Sequence, residues 1–217
     1  TTNPNHPKSQ LGVGNNETLS RDKDVLLSSL RDFYNQYYSA NLMKLVLVGN
    51  QSSRELKSYA KKYFGNIKNK NIERPITKQS GYLKDSLLKN IYVQTKGGTP
   101  SLTLEFPFKD NRDKWRSKPN QYVSRLLNSQ EEDSLFSFLT DEGYIEGGGA
   151  SINPNVWGAD GAVFIDFTLT NKGISNKNLI IDLTFKYIDL MSSKGIDKKY
   201  YDEMTAINDR EFDDYTP

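Results

Sequence analysis

The sequence predicts an α+β fold, an antiparallel or mixed sheet with helices packed on one face. Two kinds of segment carry this reading. Leu102, Leu104 and Phe106 alternate with polar neighbours, as do Val163, Ile165, Phe167 and Leu169, which is the period of two of half-buried strands. Elsewhere apolar residues recur three and four apart, the stripe of an amphipathic helix. The two kinds are mixed without strict alternation, which favours α+β over a doubly wound parallel sheet.

Taken in order, Thr1 to Ser20 is polar and punctuated by Pro4, Pro7, Gly12 and Gly14, and reads as an extended loop. Ser20 is placed to cap a helix from Asp22 to about Tyr38, with Leu26, Leu30, Phe33 and Tyr37 on its apolar face. Leu42 to Val48 is almost uninterruptedly apolar and predicts a strand buried on both faces. Ser52 or Ser53 caps the next helix, whose face is Leu56, Tyr59, Ala60 and Tyr63, with Gly65 at the C′ position. Asn66 to Gly81 lacks periodicity, contains Pro75, and is the predicted linker between a first domain (1–75) and a second (76–217).

Beyond the linker, Leu88 to Thr95 and Ser101 to Phe106 read as strands joined by the turn Gly97-Gly98-Thr99-Pro100. Pro119 opens a helix to about Leu127, and a short helix runs from Ser134 to Glu142. Tyr144 to Ile152 reads as a strand interrupted by Gly147-Gly148-Gly149, and Ala162 to Thr170 as an unambiguous strand. Ser175 to about Ser192 is a helix burying Leu179, Leu183 and Ile188. Asp197 caps a last helix carrying Tyr200, Tyr201, Met204 and Ile207.

The composition excludes several classes of function. The chain has 217 residues, a net charge of +2, one histidine and no cysteine. Disulfides, thiol catalysis and cysteine-ligated zinc are therefore ruled out. A charge so near zero predicts neither a nucleic-acid nor a membrane partner. No apolar run has the length of a membrane-spanning helix. The start at Thr1 and the stop at Tyr215-Thr216-Pro217 read as cuts, and an internal fragment of a longer protein is the expectation.

Several segments in a fixed order resemble one family. The opening NPNHPKSQLGVGNNETLS is followed by YYSANLMKLVLVG, WRSKPNQYVSRLLN, LTDEGYIEGG, TLTNKGISN and SSKGIDKKYYDE. Together they resemble the M16 inverted-motif zinc metallopeptidases, of the pitrilysin and insulin-degrading type, and the bacterial pitrilysin type fits better. The resemblance implies four similar α+β domains forming two halves that close around a peptide. This chain would supply the end of the first domain and the start of the second, with the remaining domains and peptide substrates as partners. It also implies a periplasmic location and zinc in the full-length parent.

The zinc motif of that family is His-x-x-Glu-His with a downstream Glu. Two imidazoles one helical turn apart face the metal, and the Glu acts as general base. That motif is absent here, and one histidine without cysteine makes no ordinary zinc set. No catalytic residue is predicted, and the fragment is expected to bind no zinc. His6 reads as a hydrogen-bonding loop residue. Glu131-Glu132-Asp133 precedes the Ser134 helix, where its charge suits the helix dipole.

The best functional candidate is Gly147, Gly148, Gly149 and Ala150. Glycines weaken a strand, and one reason to keep them is close approach of another backbone, as in strand addition by a peptide. In the insulin-degrading branch the matching strand is an exosite for the substrate's amino end. The resemblance carries that role to Gly147 to Ala150, with Asn128 to Asp133 nearby. A bend or bulge is the alternative reading, and a non-catalytic M16-like structural or peptide-binding subunit is the alternative function.

Overall fold

The computed structural model describes residues 3–9, 13–20, 22–94, 96–156 and 158–215. They fall into two compact units, Gln10–Thr77 and, separately, Lys78–Pro217 together with Thr1–Ser9.

The smaller unit is helical. It contains α1 (Asn16–Leu19), α2 (Lys23–Tyr37) and α3 (Ser53–Phe64). Asp22, not the expected Ser20, caps α2, its carboxylate accepting from the Val25 N–H at 3.0 Å; Ser20 instead closes α1. An aspartate there satisfies an orphan N–H and also meets the positive end of the helix dipole. Ser52 and Glu55 form a reciprocal capping box at the start of α3. Gly65 ends α3 with φ −62°, so the left-handed glycine ending expected there is not formed.

The predicted strand Leu42 to Val48 does not form. Ala40–Leu42 is a 3-10 turn, and no ladder follows it among the described residues. Ser39, fully buried, accepts from the Lys70 N–H at 2.8 Å, and the Asn41 amide donates to the Ile72 carbonyl at 2.8 Å. These bonds tie the turn to the segment after α3. Val46 and Val48 are 79% and 94% exposed. An apolar run becomes a strand only by pairing, and no other strand is described in Gln10–Thr77.

The larger unit carries the sheet. Its elements are β1 (Ser101–Lys109), α4 (Pro119–Leu127), α5 (Leu135–Asp141), β2 (Ile145–Asn153), β3 (Asp160–Leu169), α6 (Asn171–Ser175), α7 (Lys177–Lys194) and α8 (Lys198–Asp214). The strand order is β1-β3-β2 and both pairings are antiparallel. The expected strand Leu88 to Thr95 is absent over its described part, and Thr95 lies outside the described residues. Leu88 has φ +57° and is fully exposed, which breaks an extended run at its first residue. The predicted hairpin between that run and β1 is therefore replaced by pairing of β1 with β3.

The helices α4, α5 and α7 place Leu127, Phe136, Leu139 and Ile180 against Ile145, Ile165, Phe167 and Leu169 of the sheet. Burying side chains of this size contributes about 1.5–3 kcal/mol each. Leu102, Leu104, Phe106, Ala150 and Ile152 complete this face. Ser101, Thr103, Glu105 and Asp166 alternate with them and are exposed, with the Thr103 hydroxyl donating to Asp166 at 2.6 Å. The one-sided helical cover is the arrangement the sequence predicts.

The buried face of α7 is rotated from the expected one. Ile180 and Thr184 are fully buried and Leu179 is exposed, while Leu183 and Ile188 are half-buried. Thr184 tolerates burial because its hydroxyl donates to the Ile180 carbonyl at 2.8 Å. α7 is apolar on most sides, so its packing decides the phase. On α8, capped by Asp197 as expected, Met204 is buried and Tyr200 and Tyr201 lie 5.9 and 6.1 Å from the Tyr122 ring.

Candidate functional site

Among the described residues the glycine-rich strand β2 lies at one edge of the sheet, beside β3 only. A register irregularity falls between Ile145 and Gly147, so both readings of the glycine run have a physical counterpart: a bulge at its start and an open edge beyond it.

The three glycines serve different ends. A Cβ on Gly148 would lie 2.6 Å from the Phe136 ring and 2.7 Å from the Asp166 carbonyl oxygen. Phe136 is buried and packs on Phe167 with ring centroids 5.6 Å apart, so Gly148 is needed for the core. A Cβ on Gly147 would meet nothing within 4 Å, and one on Gly149 only the Asn128 carboxamide oxygen at 3.5 Å. Packing thus explains Gly148 and leaves Gly147 and Gly149 bare without a steric requirement.

Ala150 turns both its backbone groups to the outer edge. Its N–H donates to Asn128 Oδ1 at 2.8 Å, and its carbonyl accepts from Asn128 Nδ2 at 2.8 Å. Antiparallel alternation then directs the backbone groups of Gly148 and Ile152 to the same edge. Among the described residues Asn128 alone hydrogen-bonds this edge between Gly147 and Asn153.

An open groove continues from the edge between α4 and α8. One part, about 490 Å³, is lined by Asn120, Gln121, Ser124, Arg125, Asn128, Ile152 and Met204. The adjoining part, about 550 Å³, is lined by Arg125, Asn128, Ser129, Gln130, Glu131, Tyr200 and Glu203. The Arg125 guanidinium stands 5.6 Å from the Tyr200 ring centroid, within cation–π range. Tyr187 donates to the Leu126 carbonyl at 3.3 Å, and its phenol is pushed above its usual range by burial first, then by Tyr200 and Glu131. Such a surface offers main-chain hydrogen bonds beside polar side chains of both signs.

Of the residues singled out in sequence, Gly147 to Ala150 and Asn128 are brought together, while Glu131 lines the adjoining groove. Sequence reasoning missed the groove's far wall, Tyr200 and Glu203, which is formed by a helix some seventy residues away along the chain; the Asp197 cap and the helical spacing of Tyr200 and Met204 marked that element but not its place beside β2. His6 is 3% exposed, and its Nδ1 accepts from the Lys8 N–H at 3.1 Å, as befits a hydrogen-bonding loop residue. Among the described residues no group of three or more His, Asp or Glu side chains is placed to hold a metal ion. No helix among them is long and apolar enough to cross a membrane.

Comparison with known proteins agrees with this architecture. Residues 24–207 match the family described as the Peptidase M16 inactive domain. Protease 3 of Escherichia coli K12 is 35% identical over 216 residues, which cover 98% of this chain and 22% of that protein. Insulin-degrading enzyme of Drosophila melanogaster is 28% identical over 96% of this chain and 21% of its own length. The crystal structure of pitrilysin superposes with a TM-score of 0.82 at 32% identity, covering 97% of this chain and 23% of that one. The chain spans about a fifth of the length of these curated relatives. With the family match over most of its length and the pitrilysin fold across nearly all of it, the chain belongs to the M16 peptidase family.

Proposed function

We propose that the chain is part of a pitrilysin-like zinc metalloendopeptidase that hydrolyses peptides in an enclosed chamber. Its own residues supply scaffold and a peptide exosite, the outer edge of β2 at Gly147, Gly148, Gly149 and Ala150. Zinc and its general base belong to other parts of the parent. The observation that carries the exosite is the bare, half-open edge of β2: Gly147 and Gly149 have no packing reason to lack a side chain. An extended peptide laid there gains main-chain hydrogen bonds with little dependence on its sequence.

The domain reading, 1–75 as the end of a first M16-type domain and 76–217 as the start of a second, is supported by the division into compact units after Thr77. The grouping of Thr1–Ser9 with the second unit is the departure from it. A periplasmic location rests on the likeness to the bacterial enzymes alone. The partners are peptide substrates and the other domains of the parent.

In the full-length parent, Gly147→Val or Gly149→Val is expected to raise the peptide KM several-fold with a smaller change in kcat. An unchanged KM in a natively folded variant refutes the exosite. Gly148 is unsuitable for that test, because a branched side chain there collides with Phe136. The chain by itself is expected to take up no stoichiometric zinc and to hydrolyse no peptide; chelator-sensitive hydrolysis would overturn this. The match to an inactive-domain family favours a second reading, a non-catalytic M16-like structural or peptide-binding subunit. A His-x-x-Glu-His helix elsewhere in the parent polypeptide decides against it.

A further inference from the structure

We infer that Asn128 is a specificity-determining gate on the β2 edge, a carboxamide that occupies the place of a peptide unit and limits how far a bound peptide strand can pair. The inference rests on the reading of β2 as a peptide-binding edge and adds what ends the ladder.

Asn128 closes α4 as its C-cap and points its side chain at Ala150. A primary amide carries one acceptor and two donors in one plane. Here the oxygen accepts from the Ala150 N–H and the nitrogen donates to the Ala150 carbonyl, both at 2.8 Å. That is the exchange of two bonds that a facing residue makes in a hydrogen-bonded antiparallel pair. The side chain thus caps the edge as one residue of a neighbouring strand would. An incoming peptide finds the outward groups of Gly148 available and those of Ala150 taken.

The gate is built to hold and also to yield. The same amide nitrogen donates to the Ser124 carbonyl at 2.8 Å and lies 3.3 Å from the Ser124 hydroxyl, which fixes its orientation. Asn128 is half-buried and borders the open groove beside Ile152 and Met204, so its carboxamide has space to rotate into. A peptide that pairs through Ala150 must displace it and replace two hydrogen bonds with two of its own. Such a peptide gains little from the added length, and short pairing at Gly148 is favoured.

The test uses the chain with Asn128→Ala and a fluorescein-labelled, free-amino dodecapeptide of mixed Gly, Ser, Val and Thr. Single N-methyl groups are scanned along the peptide backbone, and Kd is read by fluorescence anisotropy. Hydrogen exchange of the Ala150 amide is followed in parallel. The expected result is that Ala150 exchanges faster in the free variant and is protected again by the peptide. The variant binds about tenfold tighter, as two vacated backbone groups allow, and one further N-methyl position becomes damaging. Equal affinity with an unchanged N-methyl pattern overturns the gate and leaves the peptide edge standing. No binding by either protein overturns the peptide edge and the gate with it. Asn128→Asp, which keeps the shape and the acceptor but loses the donor to the Ala150 carbonyl, provides the same comparison where the alanine variant does not fold. An intermediate gain supports the gate, and wild-type affinity refutes it.

Discussion

Substituting alanine in turn at Gly147, Gly148 and Gly149 separates the core from the candidate edge. At Gly148 the new methyl would sit 2.6 and 2.7 Å from two Phe136 ring carbons and 2.7 Å from the Asp166 carbonyl oxygen. Carbon atoms in contact prefer about 3.5–4.0 Å, so the overlap is close to 1 Å. Phe136 cannot swing aside, since it is buried against Phe167, and the Asp166 carbonyl belongs to the central strand β3. Forcing an extra methyl into a packed site costs about 1–3 kcal/mol. Restricting the unfolded chain by replacing glycine returns about 0.4–1 kcal/mol. The net expectation is a loss of about 1–2 kcal/mol at Gly148. At Gly147 and Gly149 the methyl meets open space or a single 3.5 Å contact, and neither residue has a positive φ, so stability stays level or rises slightly. Because two compact units need not unfold together, the measurement is native-state hydrogen exchange of β2 and β3 amides. A Gly148→Ala variant whose sheet amides open no more readily than those of Gly147→Ala would refute the packing argument.

Two further predictions concern the support of this sheet. Gly173→Ala places a Cβ 2.0 Å from the Tyr144 carbonyl oxygen, which also accepts from the Thr170 N–H and hydroxyl. A loss of about 3 kcal/mol is expected from overpacking together with the disturbed hydrogen bonds, read as a lower denaturant midpoint; a change below about 0.5 kcal/mol, the scatter of neutral surface changes, would refute it. Asp110 is held at about 2 chiefly by the Arg112 side-chain hydrogen bond, with Asn155 assisting. Its folded value lies below the ordinary carboxylate value of about 3.9. The stabilisation is therefore complete above that ordinary value and is lost as pH falls through about 2. Arg112→Ala should move the Asp110 carboxyl midpoint upward in a carbon-NMR titration, and an unmoved midpoint would show that the ion pair does not set it.

The elements most legible in the sequence are those whose local signals agree. Pro119 at the first position of α4, Asp197 before α8, and the strand β3 are each found within a residue or two of expectation, and β1 starts at Ser101 as expected and runs three residues further, to Lys109. Leu42 to Val48 and Leu88 to Thr95 show the opposite case. Both are apolar enough for strands, yet their described residues form no ladder. Apolar content records only that a segment avoids water; the partner that would make it a strand is not a local property. At the site, the glycine run marked β2 as unusual, but no sequence pattern distinguished Gly148, under the Phe136 ring, from Gly147 and Gly149.

Sequence alone determined the α+β class, the positions of most helices, the lack of a zinc motif, and the family through an ordered set of short matches. The tertiary structure decided which strands pair, which turn of α7 faces the core, and that Asn128 meets Ala150, twenty-two positions further along the chain. The division follows from the range of the forces. Capping, φ preferences and hydrophobic periodicity act within a turn or two and are written locally. Pairing, close packing and edge protection depend on what the rest of the chain brings alongside, so they exist only once it has folded.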